Sequence, residues 1–205
     1  MKKICLMACM ALLITLTAGT AMADSLKGRV GVTGKLGFVV PTDGVYSIGG
    51  NLVDYSANTG FIYGGGFLYG IDQNWTAELD ITNSQFDIDE FYRNRFNFTA
   101  SPSAEFTNIA LGVQYRFVPQ EKFVPYIGFG LDVLLNDIDG FDVDTALAGH
   151  VSGGVDYFIL KNLALNAEAK IVTGPEADID LYGQRVGRFS ITNFSTTFGV
   201  RFFFN

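Results

Sequence analysis

His150 and Ser152 are the two residues whose types and spacing most directly suggest chemistry. Residues two apart on a β-strand point to the same face, so the imidazole and the hydroxyl would lie side by side. Such a pair can act as base and nucleophile, with a carboxylate such as Glu168 orienting the ring. The alternative, which we favour, is that His150 belongs to an interior network of polar side chains and carries no catalysis.

A second cluster of reactive side chains is the acidic stretch Asp137–Asp144, which holds four carboxylates. It superficially resembles a calcium loop, but it lacks the ligand spacing and the closing glutamate of an EF-hand. We therefore interpret it as a solvated acidic loop, with divalent cation binding as the alternative. The sequence predicts no cofactor and no dedicated metal site.

The amino terminus predicts a secretory signal peptide over residues 1–23. A basic start, Lys2-Lys3, precedes an apolar stretch from Ile4 to Gly19 and the cleavage motif Ala21-Met22-Ala23. The apolar stretch is shorter than the roughly 20 residues that a membrane-spanning helix needs. We expect Asp24 to be the mature amino terminus and residues 24–205 to form a single domain.

The composition of the mature chain excludes several classes of protein. Cys5 and Cys9 are removed with the signal peptide, which leaves no thiol for a disulfide or a cysteine metal site. Without Lys2 and Lys3, 12 of the 14 basic residues remain against 21 acidic ones, a formal charge of −9. That charge argues against binding of nucleic acid. Abundant Phe, Tyr and Gly with few Pro favour an antiparallel all-β chain.

Eight segments alternate apolar and polar residues with the period of two that a β-strand requires. They are Arg29–Phe38, Phe61–Tyr69, Trp75–Thr82, Thr107–Phe117, Phe123–Leu135, Ala146–Ile159, Leu163–Val172 and Ile191–Phe204. No residue at their apolar positions is charged, as expected of a lipid-facing surface, where Arg or Lys costs about 2–4 kcal/mol at the bilayer midplane. A lipocalin-like barrel or a β-sandwich also alternates, but with its apolar face inward.

Two features favour the membrane barrel over the soluble alternatives. The polar face carries opposite charges that we expect to form a paired network in the lumen, together with His150: Arg29, Lys35, Arg116, Lys170, Arg201, Glu78, Asp80, Asp132, Asp156 and Glu168. Connections also alternate between short turns near 71–74, 118–122 and 160–162 and long polar loops at 41–60, 83–105, 136–144 and 173–188. This alternation is typical of outer-membrane barrels, which have short periplasmic turns and longer external loops.

The predicted fold is therefore all-β: an eight-stranded antiparallel transmembrane β-barrel with both termini periplasmic and no transmembrane helix in the mature chain. Aromatic residues beside the short turns and the carboxyl terminus would form an interfacial girdle. They are Tyr69, Trp75, Phe117, Phe123, Tyr157, Phe202 and Phe204.

The carboxyl-terminal segment Thr197–Phe204 resembles the assembly signal of bacterial outer-membrane β-barrels. Gly199, Phe202 and Phe204 carry that resemblance, whereas Asn205 departs from the aromatic residue expected at the end. Because successive residues of a strand point to opposite faces, Arg201 and Phe203 lie on the face opposite Phe202 and Phe204. The resemblance implies that the barrel-assembly machinery is a partner and that the protein is located in the bacterial outer membrane.

Several dispersed segments resemble the OmpW family of small outer-membrane barrels. They are Lys35–Pro41, Asn74–Leu79, Val113–Phe117, Phe123–Leu131, Gly154–Phe158 and Asn162–Asn166. The resemblance implies passage of small hydrophobic molecules through an apolar funnel at the external end that opens sideways into lipid. Candidate ligand contacts, which could instead simply cap the barrel, are Val39, Val45, Tyr46, Leu52, Tyr55, Phe61, Phe86 and Phe91.

Two other functions remain as alternatives. An eight-stranded barrel is narrow enough to be filled by side chains, so we expect no open aqueous porin, and the protein could be a structural or adhesive component of the envelope. The His150-x-Ser152 pair also resembles the catalytic pair of outer-membrane lipid A deacylases, although its predicted face is the lumen and not the membrane. The expected partners are outer-membrane lipids and lipopolysaccharide, with which the acidic loop could share Ca²⁺ or Mg²⁺, and small hydrophobic ligands.

Overall fold

The structure is a computed structural model that describes residues 26–42, 44–48, 51–92, 103–138, 142–143, 145–175, 177–181 and 184–204. Side chains are described for these ranges except within 43–57, 86–104, 136–144 and 176–189. The described strands are β1 Val30–Pro41, β2 Gly44–Ile48, β3 Asn51–Ala57, β4 Gly60–Gly70, β5 Trp75–Tyr92, β6 Ser103–Arg116, β7 Phe123–Ile138, β8 Asp142–Val143, β9 Ala146–Leu160, β10 Leu163–Thr173, β11 Ala177–Leu181, β12 Gln184–Phe189 and β13 Asn193–Phe203. Among these residues there is no helix long and apolar enough to cross a membrane.

Eight of the strands close into a barrel: β1, β4, β5, β6, β7, β9, β10 and β13 pair antiparallel in that cyclic order. The seam between the first and last strands runs from Gly31↔Phe203 to Pro41↔Asn193. Closure leaves no sheet edge, so the backbone groups that face lipid are hydrogen-bonded. The predicted eight-stranded antiparallel barrel is confirmed.

The side-chain alternation places the apolar face outside. On β7, Leu131 is 72% exposed whereas its neighbour Asp132 is completely buried. Arg116 and Asp156 are likewise fully buried, and Leu147 and Val151 lie on the outer surface. A water-soluble barrel would show the opposite arrangement, so the distribution excludes the lipocalin-like and sandwich alternatives.

The sheet continues beyond the strand ends that the sequence predicts. Strand β5 reaches Tyr92 and β7 reaches Ile138, whereas the apolar alternation ends near Thr82 and Leu135. Two of the predicted long loops contain the hairpins β2–β3 and β11–β12, and β3 pairs with the end of β5. Backbone hydrogen bonds between strands do not need an apolar face. A strand that extends beyond the membrane therefore loses the alternation of apolar and polar residues but keeps its hydrogen bonds to the neighbouring strand.

Candidate functional site

One end of the barrel carries the short turns and both described termini; we call it the short-turn end. An apolar cluster, the basal plug, closes the lumen there. Its members are each at most 1% exposed: Leu26, Leu68, Val124, Phe158, Ala164 and Phe203. The Phe158 and Phe203 rings stack with centroids 6.0 Å apart. These inward apolar residues are not distinguished by the sequence pattern, although the alternation places Phe203 on the same strand face as Arg201.

Leu26 reaches the plug because the chain turns just before β1. Gly28 has a φ of 76°, a left-handed conformation that side chains disfavour. Its amide donates to the Gly70 carbonyl at 2.7 Å, and the Arg29 amide donates to the Leu26 carbonyl at 2.9 Å. The turn therefore places Leu26 inside the mouth of the barrel.

Arg29, which the sequence predicts in the lumen network, lies at the rim of the barrel. Its guanidinium is half-buried and donates to the carbonyls of Phe203 and Phe204, both at 3.1 Å, and of Lys161 at 3.4 Å. Arg29 directly precedes β1, at the end of the barrel where backbone carbonyls have no partner in the strand ladder and need other hydrogen-bond donors. It joins the start of β1 to the end of β13.

Above the plug, two fully buried arginines share one fully buried carboxylate. Arg116 Nη1 lies 2.6 Å from Asp156 Oδ2, and Arg201 Nη1 lies 3.1 Å and 3.0 Å from the two Asp156 oxygens. Arg201 Nη2 contacts Glu78 Oε1 at 3.2 Å and Glu168 Oε2 at 3.8 Å. Burial of charge is tolerated when it is paired and hydrogen-bonded in this way.

Neutral side chains that the sequence does not single out complete this layer. Gln114 Nε2 donates to Glu78 at 2.5 Å, and Tyr126 donates to Glu168 at 2.8 Å. Asn166 Nδ2 donates to Asp156 Oδ1 at 2.8 Å. The sequence does place them at inward-facing positions of their strands, and this was the only feature that could have identified them.

The next layer is built around two ammonium groups. Lys35 pairs with Asp80 and lies 3.5 Å from Glu168 Oε1. Gly199 lies opposite Lys35 across the seam, where a Cβ would come within 3.1 Å of the lysine side chain. Lys170 contacts Asp132 Oδ1 at 3.0 Å.

His150 Nδ1 is bonded to Asp132, so the imidazole is a member of the network. Ser152 is also buried in the lumen. In all, the structure brings ten predicted network residues together: Lys35, Glu78, Asp80, Arg116, Asp132, His150, Asp156, Glu168, Lys170 and Arg201.

Above the network, a cavity with about 700 Å³ of empty space, mouth included, opens at the other end of the barrel, which we call the long-loop end. Its floor is formed by network residues and its wall is mixed. The apolar lining residues are Val39, Pro41, Ile62, Phe106, Leu134, Val172 and Ile191, and the polar ones are Lys35, Asp80, Thr82, Ser84, Asn108, Glu168, Lys170, Ser190, Thr192, Asn193, Ser195 and Thr197.

The predicted ligand contacts divide into three groups. Val39 is buried and lies in the cavity wall. Phe61 is 47% exposed on the outer surface and is not among the cavity-lining residues, because on β4 it shares the face of the lipid-facing residues. The side chains of Val45, Tyr46, Leu52, Tyr55, Phe86 and Phe91, like those of Asp137–Asp144, lie outside the described residues.

The predicted girdle residues, which include Phe202 and Phe204 of the assembly signal, lie on the outer surface of the short-turn end, whereas Gly199 lies opposite Lys35 within the ladder. Tyr69, Phe117 and Phe123 are each about half exposed. The rings of Phe202 and Phe204 meet edge to face with centroids 5.2 Å apart. These positions agree with an aromatic girdle at a membrane interface.

Comparison with known proteins identifies the family. The model of the outer membrane protein beta-barrel domain matches residues 9–202. The Pseudomonas aeruginosa outer membrane protein OprG superposes with a TM-score of 0.71 at 16% identity, over 90% of this chain and 99% of that one. The outer membrane protein AlkL, solved in DMPC bilayers, gives 0.62 at 16% identity over 92% and 96%. The outer membrane protein W of E. coli gives 0.53 at 19% identity over 87% and 98%.

No curated protein sequence matches the chain. The solved structures share its fold, whereas the family model spans nearly the whole sequence and agrees with the closed barrel and its apolar exterior. The chain belongs to the outer membrane protein β-barrel domain family, and it is a small eight-stranded barrel of the bacterial outer membrane.

Proposed function

We propose that the barrel admits small, mainly apolar molecules from outside the cell through its external cavity and releases them sideways into the membrane, without catalysis. The observation that carries the proposal is the cavity itself: apolar residues line part of its wall, directly above a floor of ion pairs. Concave sites with apolar walls and a few convergent polar groups are typical of small-molecule binding.

Axial transit is unfavourable below the cavity. An apolar solute moving down the axis would have to displace side chains of the charged layer around Asp156, which would leave buried charges unpaired. It would then meet the basal plug, whose members are almost completely buried. A solute that enters the cavity therefore leaves most easily through the wall.

We place a candidate seam for such an exit beside the cavity-lining Leu134. Strands β7 and β9 pair only as far as Leu134↔Ala146, whereas β7 pairs with β6 as far as Ala104↔Ile138. Over 135–138, β7 therefore has no described strand partner on its β9 side. We assign the lateral exit to the start of this seam at Leu135, the last lipid-facing residue of the β7 alternation.

Closing the seam with a disulfide should block uptake. Leu135 and Thr145 each lie one residue beyond the last β7–β9 ladder pair, and the mature chain is expected to have no other thiol. In cells that carry the L135C/T145C variant, oxidation should reduce uptake of a labelled alkane towards that of cells lacking the protein. A reductant should restore the rate.

The matched control is V133C/L147C, a register pair within the ladder, where a disulfide should leave uptake unchanged. Equal uptake by oxidised and reduced L135C/T145C would refute the assigned exit. Alkane uptake that does not depend on the protein at all would instead favour the structural or adhesive barrel.

The hydrolase alternative gains no support from the geometry. His150 is bonded to Asp132, and both His150 and Ser152 are buried inside the barrel. An acyl chain in the membrane would have to cross the wall to reach them. We therefore do not pursue catalysis by this pair.

We also propose that the protein reaches the outer membrane after cleavage behind Ala23, with Gly199, Phe202 and Phe204 recognised by the barrel-assembly machinery. The intact mass of protein extracted from the outer membrane should correspond to residues 24–205. A mass that retains residues 1–23 would contradict the cleavage.

A further inference from the structure

Two lysines, Lys122 and Lys161, lie on neighbouring turns at the short-turn end; we call them the rim lysines. Lys122 directly precedes β7, Lys161 lies between β9 and β10, and β7 and β9 are adjacent strands. The Phe158 amide donates to the Lys122 carbonyl at 2.8 Å, and Lys161 follows Phe158 by about 10 Å of extended chain. Because lysine side chains are long and flexible, both ammonium groups can approach the same anion.

Neither rim lysine has a counter-ion among the described residues, where every ion pair involves other side chains. Arg29 lies beside them, since it donates to the Lys161 carbonyl at 3.4 Å, but its guanidinium is engaged by backbone carbonyls. The turn between β4 and β5, on the other side of the barrel, carries Asp72 and no basic residue. Unpaired positive charge is therefore concentrated on one side of this end.

The position of Lys122 relative to the girdle shows which surface its ammonium faces. Nζ lies 5.1 Å from the centre of the Tyr157 ring. Tyr157 is on the outer face of β9, in register with Phe123 on β7, which is 49% exposed. Aromatic rings of a girdle sit at the level of the lipid headgroups. The Lys122 ammonium therefore lies outside the barrel wall at headgroup depth, whereas a soluble macromolecule would meet the tips of the turns.

The charge of the rim lysines selects among lipid headgroups. Ammonium groups bind phosphate oxygens, and a basic residue near a bilayer surface favours anionic lipids. A zwitterionic headgroup offers the same phosphate but carries its own cation beside it, which opposes a lysine. Glu121, exposed next to Lys122, forms no ion pair among the described residues, so it leaves both ammonium groups available.

We infer that Lys122, Lys161 and Tyr157 form a binding site for an anionic glycerophospholipid on the outer surface of the barrel. The two ammonium groups bind the lipid phosphate, and the Tyr157 ring packs against the glycerol region and the first carbons of the acyl chains. Short turns of outer-membrane barrels face the periplasm, so the lipid belongs to the periplasmic leaflet. Binding at this site does not depend on passage of a solute through the cavity.

Quenching of a fluorophore beside the rim lysines measures which lipid lies there. The mature chain is expected to contain no cysteine, so a single label can be attached to Ile159→Cys, on the outer face of β9, or to Ile71→Cys, on the opposite side. Each labelled protein is folded in phosphatidylcholine vesicles that contain equal amounts of nitroxide-labelled phosphatidylglycerol or nitroxide-labelled phosphatidylcholine. The ratio of the two association constants gives the preference for anionic lipid.

With the label at position 159, phosphatidylglycerol should be preferred by roughly fivefold, the factor that one lysine near an anionic surface contributes, and high salt should weaken this preference. With the label at position 71, the two lipids should quench equally. Lys122→Gln/Lys161→Gln should abolish the preference at position 159, whereas Lys122→Arg/Lys161→Arg should keep it because both charges remain. Both variants should fold, as gel mobility can check, because the described hydrogen bonds of these lysines use their backbone carbonyls.

Three outcomes would overturn the site. The first is equal quenching by the two lipids at position 159, and the second is a preference of the same size at position 71. The third is a preference at position 159 that survives Lys122→Gln/Lys161→Gln. Equal quenching combined with sedimentation on purified cell-wall sacculi that requires the rim lysines would assign these residues to a soluble acidic polymer instead of a lipid.

Discussion

Replacing Asp156 with alanine should destabilise the folded barrel by about 3–5 kcal/mol, the range for removing one partner from a buried ion pair. Asp156 is completely buried between two arginines that are also completely buried, with its oxygens 2.6–3.1 Å from their nitrogens. Without the carboxylate, Arg116 loses its described ionic partner and Arg201 keeps only Glu78 and Glu168. The penalty arises from uncompensated charge more than from lost volume.

The measurement is the free energy of unfolding in denaturant, with the barrel reconstituted in lipid. Asp156→Asn should lose less than Asp156→Ala, because an amide oxygen still accepts hydrogen bonds from the guanidinium groups. Glu121→Ala, at an exposed position in the turn before β7, should change stability by less than about 0.5 kcal/mol. Unfolding of Asp156→Ala at the wild-type midpoint would show that the network does not stabilise the barrel.

Placing an arginine at Leu131 should destabilise the barrel by about 2–4 kcal/mol, because this position faces the hydrocarbon core. Leu131 lies near the middle of β7 and is 72% exposed on the outer surface. A charged group there has neither water nor a counter-ion within reach. Cells should therefore accumulate less folded Leu131→Arg protein in the outer membrane.

The matched control is Leu160→Arg, the same exchange on the outer surface at the end of β9 beside a short turn. An arginine near the membrane interface costs only about 0–1 kcal/mol. The two variants are compared by unfolding in the same lipid. Equal losses at both positions would contradict the proposed depth of these residues in the bilayer.

The amino-acid sequence alone determined the strand faces and the inside-out character of the barrel. Alternation with a period of two is a local property, so Leu131 and Asp132 could be assigned to opposite faces without knowledge of their neighbours. The uncharged apolar face and the alternating connection lengths then indicated a membrane barrel, and the structure confirms that fold. The ends of strands outside the membrane could not be predicted, because a strand with water on both faces shows no alternation of apolar and polar residues.

The tertiary structure decided which side chains meet in the lumen. Arg201 contacts Asp156 and Glu78, residues 45 and 123 positions away in the chain. Such contacts depend on the stagger of strands around the closed barrel, which no local pattern specifies. The same stagger places Arg29 at the rim and brings together the residues of the basal plug. Each strand's own residues therefore determine which of its side chains face the lumen. Which side chains meet in the lumen is determined only when the last strand pairs with the first and closes the barrel.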